Sequence, residues 1–157
     1  MSAKAGSRTV IHGTFTIERD LPHAPARVFA AWADPKAKAA WFAAQSDLYT
    51  EKIREHDFRV GGKERMRAEW KTGKVSDFRC VYHDIVQDRR IVYVYDMYVD
   101  EVKLSVSLAT IEFEPNGKGT KLILTEQGAY LDGDDGVAGR EQGTKGLVES
   151  LARYLDG

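Results

Sequence analysis

The sequence predicts an α+β fold in which a curved antiparallel β-sheet buries one face under a long C-terminal helix. Three observations predict it. Apolar and aromatic runs of strand length recur from about residue 50 onward with turn residues between them, and two proline-marked helical segments precede them. The final stretch, GVAGREQGTKGLVESLARYLDG, then returns to helical spacing.

Taken in order, residues 1–8 are small and polar and are expected to be loose, and residues 9–157 to form a single domain. The run TVIHGTFTIERDL alternates and is rich in β-branched residues, which is a strand signature. In HAPARVFAAWADPKAKAAWF, Pro25 and Pro35 each suit the first turn of a helix, and Asp34 is a cap for the second. Two short helices follow, over 25–33 and 35–42, with Val28, Phe29 and Trp32 on one face.

The strand runs are LYTEKI, GKERMRAEW, SDFRCVYHDIV, RIVYVYDMYV, KLSVSLATIEFE and TKLILTEQGA, divided by RVGG, KTGK, QDRR, VDEV and PNGKG. A four-residue turn at 87–90 sets Tyr82 opposite Tyr95 and Cys80 opposite Met97. Phe78, Cys80, Tyr82, Tyr93, Tyr95 and Met97 then share a face. In KLSVSLATIEFE two registers compete: Ile111 and Phe113 put Ser105, Ser107 and Ala109 inside, whereas the VDEV turn puts Leu104, Val106 and Leu108 inside. A bulge would reconcile them.

On the closing helix Glu141, Thr144, Val148, Leu151 and Leu155 form one stripe, flanked by Leu147 and Tyr154, and Asp134 or Asp135 caps its start. Glycines 139, 143 and 146 weaken a helix and are expected to leave room for close packing or for a ligand.

Charge and composition exclude several functions. The 157 residues hold 23 basic and 24 acidic side chains with neither sign in a long block, so no field gathers nucleic acid or an anionic membrane. The start MSAKAGSRTV has no apolar h-region, and no apolar run approaches the ~18 residues of a membrane span. A soluble, cytoplasmic protein is expected. Cys80, the single cysteine, excludes an internal disulfide and a multi-thiolate zinc site, and as a mid-strand residue it is a poor nucleophile.

No metal or other cofactor is expected, because the histidines at 12, 23, 56 and 83 lack ligand spacing. VGGKE fails the phosphate-loop pattern at Glu64. The aspartate-rich stretch after Thr125 fails as a calcium loop begun at Asp132, because Gly136 and Val137 stand where an acid and a glycine are needed. It reads instead as a joint turned by Gly128, Gly133 and Gly136.

The candidate chemistry lies beside that joint. If Leu122 and Leu124 face inward, so does Glu126, while Glu141 and Thr144 lie on the apolar stripe of the facing helix. Two carboxylates in one interior form either a ligand-gripping or proton-transferring device, or a structural network completed by Arg140 or a nearby hydroxyl. The tyrosine-rich face suits an aromatic or amphipathic guest, since buried hydroxyls need partners. Val94, Tyr98 and Ile123, on the opposite face, allow a homodimer.

Five motifs in order, FTIERDLPHAPARVFAAWADPKAKAAWF, DFRVGG, DRRIVYVYDM, GTKLILTEQGAYLDG and LVESLARYL, resemble the START-like, birch-pollen-allergen-like (SRPBCC) superfamily. The branch they resemble is that of the activator of heat-shock-protein-90 ATPase homologue-like proteins, and the resemblance runs over residues 9–156. It implies a helix-grip fold, a sheet wrapped around the C-terminal helix with a ligand cavity between them. It also implies that the paired glycines bend a strand so that Glu64 points into the cavity with Met66, and that Trp41 and Phe42 close one mouth. With Phe78, Tyr82, Tyr93, Tyr95, Met97, Glu126, Glu141 and Thr144 these are the expected ligand contacts. The function expected is binding of a small apolar or aromatic molecule. The alternative is a cyclase- or hydrolase-type enzyme using the carboxylates, and a co-chaperone role rests on the family name alone.

Overall fold

The computed structural model describes residues 8–44, 46–134 and 136–157. The chain runs β1 (Val10–Leu21), α1 (Pro25–Ala33), α2 (Pro35–Trp41), β2 (Tyr49–His56), β3 (Lys63–Trp70), β4 (Val75–Val86), β5 (Arg90–Val99), β6 (Val102–Asn116), β7 (Gly119–Leu131) and α3 (Val137–Leu155). The strands form one antiparallel sheet in the order β1-β7-β6-β5-β4-β3-β2. Its concave face carries the core, covered by α1, α2 and α3 in the helix-grip manner.

Each helix starts for a local reason. Pro25 and Pro35 occupy first turns, and the Asp34 carboxylate accepts the Lys36 N–H at 3.0 Å, so α2 is capped as expected. Val28, Phe29 and Trp32 are buried. α3 is different: its N-cap is Gly136 with no side-chain bond, and Asp134 instead accepts the Gly136 N–H at 3.2 Å. The other proposed cap, Asp135, lies outside the described residues, as does the loose start except Arg8, whose guanidinium pairs with Asp132 at 2.9 Å.

Two register details depart from expectation without disturbing the faces. Val86 pairs with Arg90, so the β4–β5 turn is one residue shorter than read, and a bulge at His83 adds a second shift. Tyr82 therefore faces Tyr93, and Cys80 faces Tyr95; a slip of two leaves every side chain on its predicted face. On β6 a bulge at Leu104 resolves the competing registers, with Ser105, Ser107, Ala109, Ile111 and Phe113 all buried.

Among the joint glycines only Gly133 adopts a left-handed conformation (φ +88°). Gly128 stays within β7, where a Cβ would fall 2.9 Å from the Tyr130 ring. At Gly13 a Cβ would fall 2.6 Å from Val137, so the start of α3 rests on the backbone of β1. The Arg19–Glu149 ion pair and the His23–Asp156 hydrogen bond, both at 2.8 Å, fasten its later turns.

Candidate functional site

A cross-strand row of inward positions places most of the chemistry. His56, Glu64, Cys80, Tyr95, Ser107, Gly128 and Gly13 lie opposite one another in turn across all seven strands. The next row holds Tyr82, Tyr93, Ala109, Glu126 and Phe15. Side chains are large toward β3 and β4 and shrink to Ser and Gly where α3 comes down on the sheet. Two polar nodes result, one at each end of the tyrosine wall.

The first node centres on Lys38. Three residues before Trp41 on α2, it shares the buried face of that short helix and is 3% exposed. Its Nζ donates to Glu64 Oε1 at 2.6 Å and to the Tyr82 hydroxyl at 3.4 Å. Phe42 and Trp32 lie under the ammonium, with ring centres 4.7 and 5.4 Å away, and Tyr93 and Tyr82 stand at 5.8 and 6.0 Å. The Tyr82 hydroxyl also donates to Glu64 and meets His56 Nε2 at 3.0 Å. Burial works to raise the Glu64 carboxyl, but the charges of Lys38 and His56 and the bonds from Lys38 and Tyr82 outweigh it and hold it low. Burial lowers His56 despite the pull of Glu64.

The second node lies under the first turns of α3. Glu126, 4% exposed, accepts the Tyr95 hydroxyl at 2.6 Å, and Thr144 Oγ1, which donates to the Arg140 carbonyl at 2.8 Å, lies 3.4 Å from its other oxygen. Arg140 donates to the Tyr95 hydroxyl at 3.0 Å and to Ser105 Oγ at 2.9 Å, between the faces of Tyr95 and Tyr130. Burial raises the Glu126 carboxyl, against the Tyr95 bond and the Arg140 charge.

Glu64, Met66, Phe78, Tyr82, Tyr93, Tyr95, Glu126 and Thr144 are all buried inside the grip, and Phe42 and Met97 are half-buried against it. Some residues are placed otherwise than expected. Trp41 is not at a mouth: it is 2% exposed, donates its Nε1–H to the Ala31 carbonyl at 2.9 Å and packs edge-on against Trp32. Glu141 does not join Glu126, because it turns outward and pairs with Lys145 at 3.5 Å; Arg140 takes the inward position. The helix glycines leave no room inside either, since a Cβ at Gly139, Gly143 or Gly146 would meet only open space on the exposed side.

Lys38 is not among the residues singled out in the sequence, and His56 is weighed there only as a metal ligand. A signal existed for Lys38 in its spacing to Trp41, and for His56 in its place opposite Glu64 once the hairpin is drawn. Cys80 is buried, and burial pushes its thiol up to about 12, so it stays protonated.

Rings are in contact along the inner wall of the sheet: Phe42–Phe78, Phe78–Tyr95 and Tyr82–Tyr93 centres lie 5.2, 5.0 and 5.8 Å apart. A cleft of about 1040 Å³ opens beside Gly61 and Gly62 and the outward Arg79, Val81 and Val94, and His56, Glu64 and Cys80 also contribute to its lining. Among the described residues no helix is long and apolar enough to cross a membrane.

Comparison with known proteins agrees with this architecture. The family model described as activator of Hsp90 ATPase homolog 1-like protein matches residues 22–156. The crystal structure of the Mll3558 protein from Rhizobium loti is 44% identical, with a TM-score of 0.88 over 93% of this chain and 99% of its own. An uncharacterized protein from Rhizobium leguminosarum is 38% identical, with a TM-score of 0.87 over 95% and 97%. An AHSA1-like protein from Aeromonas hydrophila, 22% identical over 92% of each chain, shares the fold with a TM-score of 0.69. No curated protein matches this chain.

Proposed function

The chain belongs to the family of activator of Hsp90 ATPase homolog 1-like proteins, and on that footing we propose that it holds a small molecule with an apolar or aromatic body between its sheet and α3. The observation that carries this reading is the pair of polar nodes on the tyrosine wall. Burying Lys38 against Glu64 costs desolvation that a plain apolar core would avoid, so stability alone gives no reason to keep the pair. A guest that aligns with both nodes does. Phe42, Phe78 and the tyrosines must part to admit it, and the apparent affinity is reduced by the cost of that opening.

Native mass spectrometry of the purified protein, followed by denaturing extraction, tests the reading. A co-purifying small molecule supports it. If none co-purifies, a thermal-shift screen of aromatic and aliphatic compounds follows, in which a ligand at about 100 times its dissociation constant stabilises by about 2.7 kcal/mol. A screen with no shift removes the proposal.

One observation favours an enzyme as the second reading: burial raises Glu126 while Lys38 and its neighbours lower Glu64, which is how acid and base roles are divided between carboxyls. The two belong to different rows and strands, joined by ring steps Tyr82–Tyr93 and Tyr93–Tyr95 of 5.8 and 6.0 Å. They would therefore act on opposite ends of a substrate. Any turnover found for the wild type that survives in both Glu126→Gln and Glu64→Gln would exclude this chemistry.

A further inference from the structure

The two nodes differ in charge balance, and the difference names a ligand class. At the first, the Lys38 ammonium is matched by the Glu64 carboxylate at 2.6 Å and boxed by aromatic rings. Its two charges answer each other, so it calls for no charged group on a guest. At the second, Arg140 meets only hydroxyls: two of its N–H groups reach Tyr95 and Ser105, and among the described residues no carboxylate lies within ion-pair distance. Glu126 is reached through Tyr95, whose hydroxyl donates to it, so that carboxyl does not neutralise the guanidinium by contact.

Beside this cation stands an unanswered group. Ser107 is 1% exposed, follows Ser105 on the inward face of β6, and its hydroxyl has no hydrogen-bond partner among the described residues. Tyr130 is close enough to interact with that hydroxyl, without a well-formed hydrogen bond between the two. A buried hydroxyl left unpaired is costly, which marks a place for a further polar atom. The sheet is also lowest here, with Ser107 opposite Gly128 and Ala109 opposite Glu126.

Resting on the reading of the interior as a ligand site, we infer that the guest is an organic monocarboxylate whose headgroup sits under the first turns of α3 against Arg140 and Ser107. A guanidinium fork matches the two oxygens of a carboxylate, and one cation with no carboxylate in direct contact matches one negative charge better than the two of a phosphate monoester. The apolar body then lies along the tyrosine wall toward Lys38. Three interstrand steps separate β6 from β3, roughly 15 Å, which is the length available to it.

The test compares acids with their alcohols. Cinnamate, 2-naphthoate and decanoate, each beside the corresponding alcohol, are titrated into the full chain by calorimetry at fixed pH and salt. The expected result is at least about tenfold tighter binding of an acid than of its alcohol. In Arg140→Gln that preference disappears while the alcohol's affinity is kept. Ser107→Ala, which removes only the unpaired hydroxyl, lowers acid affinity several-fold and guards against an Arg140 variant that does not fold. Equal binding of acid and alcohol by the wild type, or a preference that survives in both variants, overturns the inference and leaves the ligand site standing. Binding of no compound in either class overturns the inference and the site together.

Discussion

Asp77 shows what a single carboxylate does on the outer face of the sheet. It is 1% exposed because three arginines cover it: Arg65, Arg67 and Arg79 reach its oxygens at 2.8, 2.9 and 3.0 Å. Burial alone would raise this carboxyl; the hydrogen bonds from Arg65, Arg79 and Arg67 outweigh it and hold it well below the ordinary range. A carboxyl lowered by folding adds stability above its unfolded value, about 3.9, and that contribution is lost as pH falls through the folded value. Asp77→Asn should therefore cost about 3 kcal/mol at pH 7, with the gap to wild type narrowing below about pH 4 in urea melts. A gap independent of pH would mean that the arginines are held by something else. Glu126 carries the opposite sign. Its carboxyl is raised by burial, so its contribution is full below the unfolded value and is lost as pH rises through the folded one. Glu126→Gln should gain stability relative to wild type between about pH 4 and pH 7, and the same urea series measures it.

Among the elements, α3 separates what was legible in the sequence from what was not. Its apolar stripe through Thr144, Val148, Leu151 and Leu155 is buried as its spacing predicts. The phase of its first turn was not legible. Positions 140 and 141 lie four and three residues before Thr144, about 40° and 60° from it at about 100° per residue, so periodicity does not decide between Arg140 and Glu141. Contact with Tyr95 and Ser105 decides it. The β4–β5 hairpin shows the converse: its pairing was misread by two residues, yet the wall was right, because side-chain direction repeats every two residues. Lys38 was hidden for a third reason, since a lysine on a short helix reads as surface unless its charge partner, 26 residues away on β3, is already known. On the exposed side of α3, Gly139, Gly143 and Gly146 face open space in helical conformation. Alanine at each should stabilise by about 0.5–1 kcal/mol through chain entropy, nearly additively, as read from denaturant midpoints at unchanged slope. A loss of stability at any of them would mean that the position contacts something in solution.

Across the whole molecule, the question is whether the grip needs its buried charges to fold. The core around them is extensive: Trp32, Trp41, Phe113, Leu151 and Leu155 pack α1, α2 and α3 onto the sheet without help from Lys38. Removing one partner should still be costly, because the other remains charged and dry. Lys38→Met should lose about 3–5 kcal/mol, whereas the double variant Lys38→Met with Glu64→Gln should recover most of that loss. The side-chain amide introduced by Glu64→Gln keeps an oxygen for the Tyr82 hydroxyl, so that donor is not left unpaired in the cycle. The ligand reading adds a second readout. If the pair exists to align a guest, the double variant folds at near wild-type stability yet fails to retain whatever molecule co-purifies with the wild type or shifts its melting. Should the double variant be stable and keep that ligand with unchanged affinity, the first node would be part of the packing only, and the ligand contacts would contract to the Glu126 and Arg140 end of the wall.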